Sequence, residues 1–405
     1  MPSFECTVPT GFEPVAQNEV KQKLQVENAT TARGRVSFQY DQKSASEILS
    51  LRSVDNVFVV LLKHDKLQLQ GREAKECIND LKSLVPQACW KTGLSVWETI
   101  FCQTISGGID KHLKSISDYS EKIQSGSEVD PVPVIDGPKF RVTCNRAGEN
   151  HSFGSPECAA EFGGEIQKIF GWPVSLKEFD IEIVLNIQEN KVTVCISLTK
   201  ESLFKRNIAF FGPTTLRATL CYGLLGMANP QPGEIVCDPL CGGGSIPIEA
   251  KLEWPNCTVI AGDLHPLAVN RTKENLEAFQ QNNETGLDIS LFSWDARRLP
   301  LLTDSVHCLV TDLPFGKRSG SRLDNRRLYP ELLLEWGRVA RVGSGRAVLL
   351  TFDKNTLVRA VQRHGRLWRQ TKVAGCNIGG LSAAAFQLTR TENPFLAPAE
   401  PDGDN

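Results

Sequence analysis

The sequence predicts an α/β protein: a carboxyl-terminal, Rossmann-like doubly wound sheet preceded by an α+β region. Three stretches carry this prediction. Ile235–Ala250 (IVCDPLCGGGSIPIEA) reads as a buried strand, an acid, a glycine turn and the start of a helix. The stretches ending on Asp263 and Asp312 repeat the pattern of an apolar run closing on a carboxylate. Apolar strands alternating with helical segments, with polar residues at their carboxyl ends, are how an open parallel sheet builds a ligand pocket.

Composition sets the bounds. At 405 residues the chain has room for two or three domains. Its 41% hydrophobic and 23% charged content is that of a soluble globular protein. A net charge of −2 argues against a uniformly basic nucleic-acid coat, so any RNA contact must come from local patches. None of the 13 cysteines forms a CxxC pair, and no apolar run reaches membrane-spanning length. The amino terminus, MPSFECTVPTGFEP, lacks the basic start and apolar core of a signal peptide. Reduced thiols and a cytoplasmic location are therefore expected.

Residues 1–95 read as a small ferredoxin-like unit. Its elements are a strand at Ser3–Val8, a helix at Glu13–Gln25, a strand at Arg35–Tyr40, a helix at Ser44–Leu51 and a buried strand at Asn56–Lys63. Residues 104–138, rich in Ser, Gly and Pro, read as a loop-rich break within a second unit, 96–204. That unit continues with a strand at Lys139–Cys144, a helix at Ser155–Phe170 and a strand pair at Phe179–Asn186 and Lys191–Leu198. Arg141, Arg146 and His151 are candidate phosphate contacts there, as are Lys205 and Arg206 at the junction that follows. A solvated surface role is equally open for each.

Residues 205–392 form the sheet domain, and its three acids define its chemistry. Gly242, Gly243 and Gly244 leave backbone open to a ligand beside Asp238. Asp263, about twenty residues on, suits a carboxylate that accepts both ribose hydroxyls. No Gly-Lys-Ser/Thr follows the loop, and an acid beside it repels a pyrophosphate but welcomes a cation. S-adenosylmethionine, with an ammonium, a sulfonium and a ribose, fits that set. Asp312-Leu313-Pro314-Phe315 then forms a tool for a planar amine. The Asp312 carboxylate and a backbone carbonyl near Pro314 accept the two amine hydrogens, and Phe315 stacks on the base. A helix at Tyr329–Val339, strands near 346–351, 367–374 and 383–389, and a helix at Thr356–His364 complete a seven-stranded sheet with an antiparallel edge hairpin. The stretch Ser319–Arg327 reads as a basic loop, in which Arg322, Arg326 and Arg327 with the preceding Lys317 and Arg318 outweigh Asp324. The tail, 393–405, reads as disordered. No His/Cys/Asp cluster has metal-ligand spacing, and no metal is expected.

Together these motifs resemble the class I methyltransferase domain of the THUMP-domain-containing tRNA (guanine-N2) methyltransferases. Cys237-Asp238-Pro239-Leu240-Cys241-Gly242 resembles the family's first-strand motif, and Asp312–Arg318 its catalytic motif. Asn377-Ile378-Gly379-Gly380-Leu381 resembles its late glycine hairpin. Gly243 departs from it, standing where relatives carry a small hydroxyl residue. The resemblance implies methyl transfer from S-adenosylmethionine to the exocyclic N2 of a guanosine in tRNA, with a THUMP module gripping the tRNA. It implies a catalytic set of Asp312, Pro314 and Phe315. It further implies cofactor contacts from Thr214, Thr215, Asp238, Cys241, Gly242, Gly244, Ser245, Asp263, Leu264, Asp295, Ala296 and Asp312. RNA contacts are implied at Arg141, Lys205, Arg206, Lys317 and Arg318, and a small zinc-binding activator protein is the implied partner. Methylation of another amine (adenine N6 or a protein glutamine) and a non-catalytic RNA-binding scaffold remain open from the residues alone.

Overall fold

The computed structural model describes residues 1–125, 133, 137–212, 215–283, 286–314 and 322–396. In the amino-terminal half the strands are β1 (Ser3–Thr7), β2 (Thr30–Ala32), β3 (Arg35–Gln39), β4 (Asn56–His64), β5 (Phe140–Ala147), β6 (Ile181–Gln188) and β7 (Lys191–Ser197). They form one seven-stranded sheet in the order β2-β3-β1-β4-β7-β6-β5, with β5 and β6 parallel and every other pair antiparallel. Helices α1 (Glu13–Leu24), α2 (Ala74–Lys82), α3 (Trp90–Phe101), α4 (Ile109–Gln124) and α5 (Ser155–Phe170) accompany it.

Two expectations change here. A separate unit at 1–95 does not close on itself. β4 pairs with β1 on one side and with β7 on the other, Val60 facing Cys195, and residue 95 lies inside α3. The break at 104–138 contains α4, whose partly buried Ile109, Leu113, Ile116 and Tyr119 pack on the core at helical spacing. Its serines lie among the charged positions between them and masked that period.

The second sheet comprises β8 (Ile235–Asp238), β9 (Thr258–Asp263), β10 (Ile289–Ser293), β11 (Cys308–Asp312), β12 (Arg346–Thr351), β13 (Trp368–Ile378) and β14 (Leu381–Arg390). Its order is β10-β9-β8-β11-β12-β14-β13, all parallel except β14. The helices are α6 (Ala218–Ala228), α7 (Ser245–Glu253), α8 (Pro266–Asn283), α9 (Arg322–Val339) and α10 (Lys354–Arg363). The strand order reverses between β8 and β11, which opens a crevice at their carboxyl ends.

One face of this sheet shares a continuous apolar core with α6 and the amino-terminal sheet, through Leu220, Leu224, Val236, Val310 and Ala385. The other face is covered by α9 and α10 through Leu333, Trp336, Leu357 and Phe386. Helix α9 begins at Arg322 rather than Tyr329, so the second half of the expected basic loop is helical. Pro330 sits inside this helix, where a proline donates no backbone hydrogen bond.

Candidate active site

A cavity of about 470 Å³ lies over the carboxyl ends of β8, β9 and β11. Its walls include Asp238, Asp263 and Asp312, each the last residue of its strand. The floor is the turn after β8. Gly242 and Gly244 adopt φ of 54° and 84°, and a Cβ on Gly244 would meet the Thr272 methyl at 2.7 Å. Only glycine takes that path without strain. Gly244 N–H donates to the Cys241 carbonyl (2.8 Å), and α7 starts at once with Ser245, so the helix points its amino terminus at the cavity.

The carboxylates differ in their surroundings. Asp238 is 2% exposed; its Oδ1 accepts from Leu240 N–H (3.1 Å), its Oδ2 is buried, and the Thr311 hydroxyl lies beside the carboxylate. Burial raises its pKa well above the usual carboxylate value, and the nearby Asp312 and Asp263 carboxylates add to the rise. Asp312 is likewise pushed up by burial, to about 7, with repulsion from Asp263 contributing. Asp263 accepts from Gly242 N–H (3.1 Å) and His265 N–H (2.9 Å), tying the β8 turn to the end of β9. A carboxylate has about four acceptor sites, so two remain for a ligand.

A second set of buried polar groups fixes the catalytic turn. The Pro314 carbonyl accepts from Tyr329 Oη (2.7 Å) and Asn325 Nδ2 (3.1 Å), both on α9. Tyr329 Oη also lies 3.0 Å from Thr351 Oγ1 at the end of β12. Both lone pairs of that carbonyl are therefore engaged inside the protein, which corrects the expectation that Pro314 receives the amine. Behind the glycine turn, buried Asn275 of α8 accepts from Ala209 and Phe210 N–H (3.1 and 2.7 Å) and donates to the Phe210 and Gly243 carbonyls (3.2 and 2.9 Å). It sews the segment entering the domain onto the glycine turn. The sequence gives no signal for Asn275 and Tyr329, which belong to ordinary amphipathic helices, nor for Asn325, whose stretch reads as a basic loop.

Of the residues expected at the site, Thr215, Asp238, Cys241, Gly242, Ser245, Asp263, Asp312 and Pro314 line the cavity. Gly244 shapes the turn beneath it. Leu264 is exposed (61%), and Ala296 is buried with its carbonyl accepting from Trp336. Neither lines the cavity, and nor does Asp295, whose carboxylate is gripped by the Arg297 guanidinium (2.7 Å) and also accepts Arg297 N–H in a local turn. Thr214, Phe315, Lys317 and Arg318 lie outside the described residues.

The basic candidates divide. Arg206 is used structurally, donating to the carbonyls of Leu51 and Arg52, which corrects its assignment to RNA. Arg141 pairs with Glu182 (2.7 Å) and stacks on Phe179. Lys205 and Arg146 are exposed.

Strand order, the three strand-end acids and the glycine turn define a class I methyltransferase domain. Residues 206–384 match the family model described as the RMKL-like methyltransferase domain, and residues 125–197 match that of the THUMP domain. The chain is 41% identical to bovine (Bos taurus) tRNA (guanine(6)-N(2))-methyltransferase THUMP3, covering 98% of this chain and 90% of that protein. A Thermus thermophilus tRNA (guanine(6)-N2)-methyltransferase is 31% identical over 64% of this chain and 75% of its own. The crystal structure of TrmN from Thermus thermophilus superposes with a TM-score of 0.70 at 22% identity, over 96% of this chain and 100% of that one. The chain belongs to the family of THUMP-domain-containing tRNA (guanine-N2) methyltransferases.

Proposed function

We propose that this protein transfers a methyl group from S-adenosylmethionine to the exocyclic N2 of a guanosine in tRNA, the guanosine at position 6 as in the named relatives. The observation that carries this reading is the convergence of three strand-end carboxylates on one cavity, one of them on the acid-Leu-Pro turn. The walls fit the cofactor: the buried Asp238 carboxylate makes no ion pair with any described residue and suits an ammonium, and the glycine turn leaves backbone exposed beside it. Asp263 suits the ribose hydroxyls. When bound, the cofactor supplies an electrophilic methyl on sulfur.

The chain's own groups supply positioning. The Asp312 carboxylate accepts from the target amine and balances the positive charge that grows on nitrogen as it is methylated. With the Pro314 carbonyl occupied, the Leu313 carbonyl is the backbone acceptor for the second amine hydrogen, and Phe315 is the stacking face. We read residues 1–95 and 96–204 as the tRNA-gripping half, with exposed Arg146 and Lys205 and the basic pair Lys317 and Arg318 on its path, and 205–392 as the catalytic half. The family resemblance further implies a small zinc-binding activator protein and work in the cytoplasm. The free thiols and the open edge of the second sheet at β10, with Phe292 45% exposed, accord with both.

Labelled-methyl transfer into unmodified tRNA, with and without the activator, followed by nucleoside mass spectrometry, tests the reading. N2-methylguanosine at position 6 is the expected product. A methylated adenosine or protein amide would replace the substrate, and absence of both transfer and cofactor binding would favour a scaffold.

A further inference from the structure

We propose that Arg271 is the anion anchor of the cavity and binds the α-carboxylate at the amino-acid end of the cofactor, an assignment that rests on the S-adenosylmethionine reading above. The cavity walls hold three carboxylates and, among the described residues, the Arg271 guanidinium as their permanently charged cation. The first three account for an ammonium, a ribose and the target amine. They leave the one negative group of an amino-acid ligand without a partner.

Arg271 is built into its place. Its Nη1 lies 2.6 Å from where a Cβ on Gly212 would sit, and its Cδ lies 3.3 Å from the corresponding point on Gly243. Two missing side chains thus leave a slot for the arginine between the entering segment and the glycine turn. Its neighbours on α8 fix the helix against that turn: Thr272 Oγ1 donates to the Gly242 carbonyl (3.0 Å), and Asn275, one helical turn on, donates to Gly243. Yet the half-buried guanidinium makes no ion pair or hydrogen bond with any described residue, despite the acids across the cavity. A planar five-donor fork held beside an acid-lined wall and left unpaired matches a carboxylate in shape and charge. The same packing accounts for Gly243, because a hydroxyl side chain there would press on the arginine stem.

Titration calorimetry of S-adenosylmethionine and its decarboxylated analogue against the full-length wild type, Arg271→Gln and Arg271→Lys tests the assignment. Charge-assisted bidentate bonds predict that Arg271→Gln weakens binding of the carboxylated ligand about 10- to 100-fold. The affinity for the decarboxylated analogue should stay within about twofold, within the range of ordinary context effects. Arg271→Lys should recover part of the loss. Equal weakening of both ligands, or of neither, overturns the anchor role, as does a variant that loses tRNA affinity while its cofactor affinity is untouched. A wild type that binds neither compound overturns the cofactor reading, and this assignment with it.

Discussion

Asp312 sits where burial and the neighbouring Asp263 carboxylate both disfavour its charge. With its pKa near 7 in the free protein, it is largely protonated in mild acid and ionised in mild base. A cationic ligand prefers the ionised form, so cofactor affinity should rise with pH through about 7 and then level off, with proton release on binding. Calorimetry in buffers of different ionisation enthalpy measures both effects; an affinity flat from pH 5.5 to 8.5 would contradict them. The sign for stability is the reverse. An unfolded aspartate ionises near 4 and this one near 7, so it contributes nothing below about 4 and destabilises the unliganded fold increasingly up to about 7. Asp312→Ala should abolish transfer and remove the rise of cofactor affinity with pH, leaving it within a few-fold of the wild type's value in mild acid, as single-turnover rates and titrations would show. Tyr329→Phe removes one hydroxyl from the Pro314 carbonyl. It should slow transfer at saturating substrates by about tenfold or more, because small misplacements near the reacting atoms are costly, with Kd for cofactor unchanged. The three acids were legible because each ends an apolar run. The fates of Arg206, Asp295 and the Pro314 carbonyl were not, because the groups that engage them are folded in from elsewhere or belong to local turns.

At the scale of elements, buried parallel strands announced themselves as short apolar runs bounded by turns, and β8, β9, β11 and β12 fall where those runs lie. Helices α2 and α3 are not among the elements read from the sequence although Ile78 and Leu81, and Trp90, Leu94 and Trp97, recur at helical spacing, and α4 was masked by its serines. The glycine turn is the element most exposed to single changes. Gly244→Ala must place a Cβ against Thr272 in a left-handed backbone conformation, so cofactor affinity should fall at least tenfold while the rest of the fold survives. Titration together with thermal unfolding separates the two effects; unchanged affinity would show that the turn tolerates a side chain.

Across the whole molecule, the halves are joined by a buried ionic seam. Arg52 donates to both oxygens of Glu249 on α7 (2.5 and 2.8 Å), Lys23 bridges Glu19 and Glu253, and Thr219 donates to Asp55 (2.7 Å). Glu249 is 1% exposed, so Arg52→Ala leaves a buried carboxylate without its ion pair, held by Asn207 Nδ2 (3.1 Å), and should cost about 3 kcal/mol of stability. Denaturant unfolding measures it, and a loss below about 1 kcal/mol would mean that water or a neighbour takes the arginine's place. Because α7 also starts at the glycine turn, the same variant should loosen cofactor binding. None of this seam was legible, since its partners lie in separate halves of the chain with no local pattern to announce them. The merging of the first seven strands into one sheet was hidden for the same reason, and it governs how the chain is born. β4 (NVFVVLLKH) finds one neighbour early, in β1, but its other neighbour, β7, ends at Ser197. At about 5–20 residues per second of synthesis, an apolar strand edge waits on the order of ten seconds for the segment that covers it. Until then it is an open template for other chains, so a nascent chain halted before residue 191 should depend on chaperones far more than one released after 197.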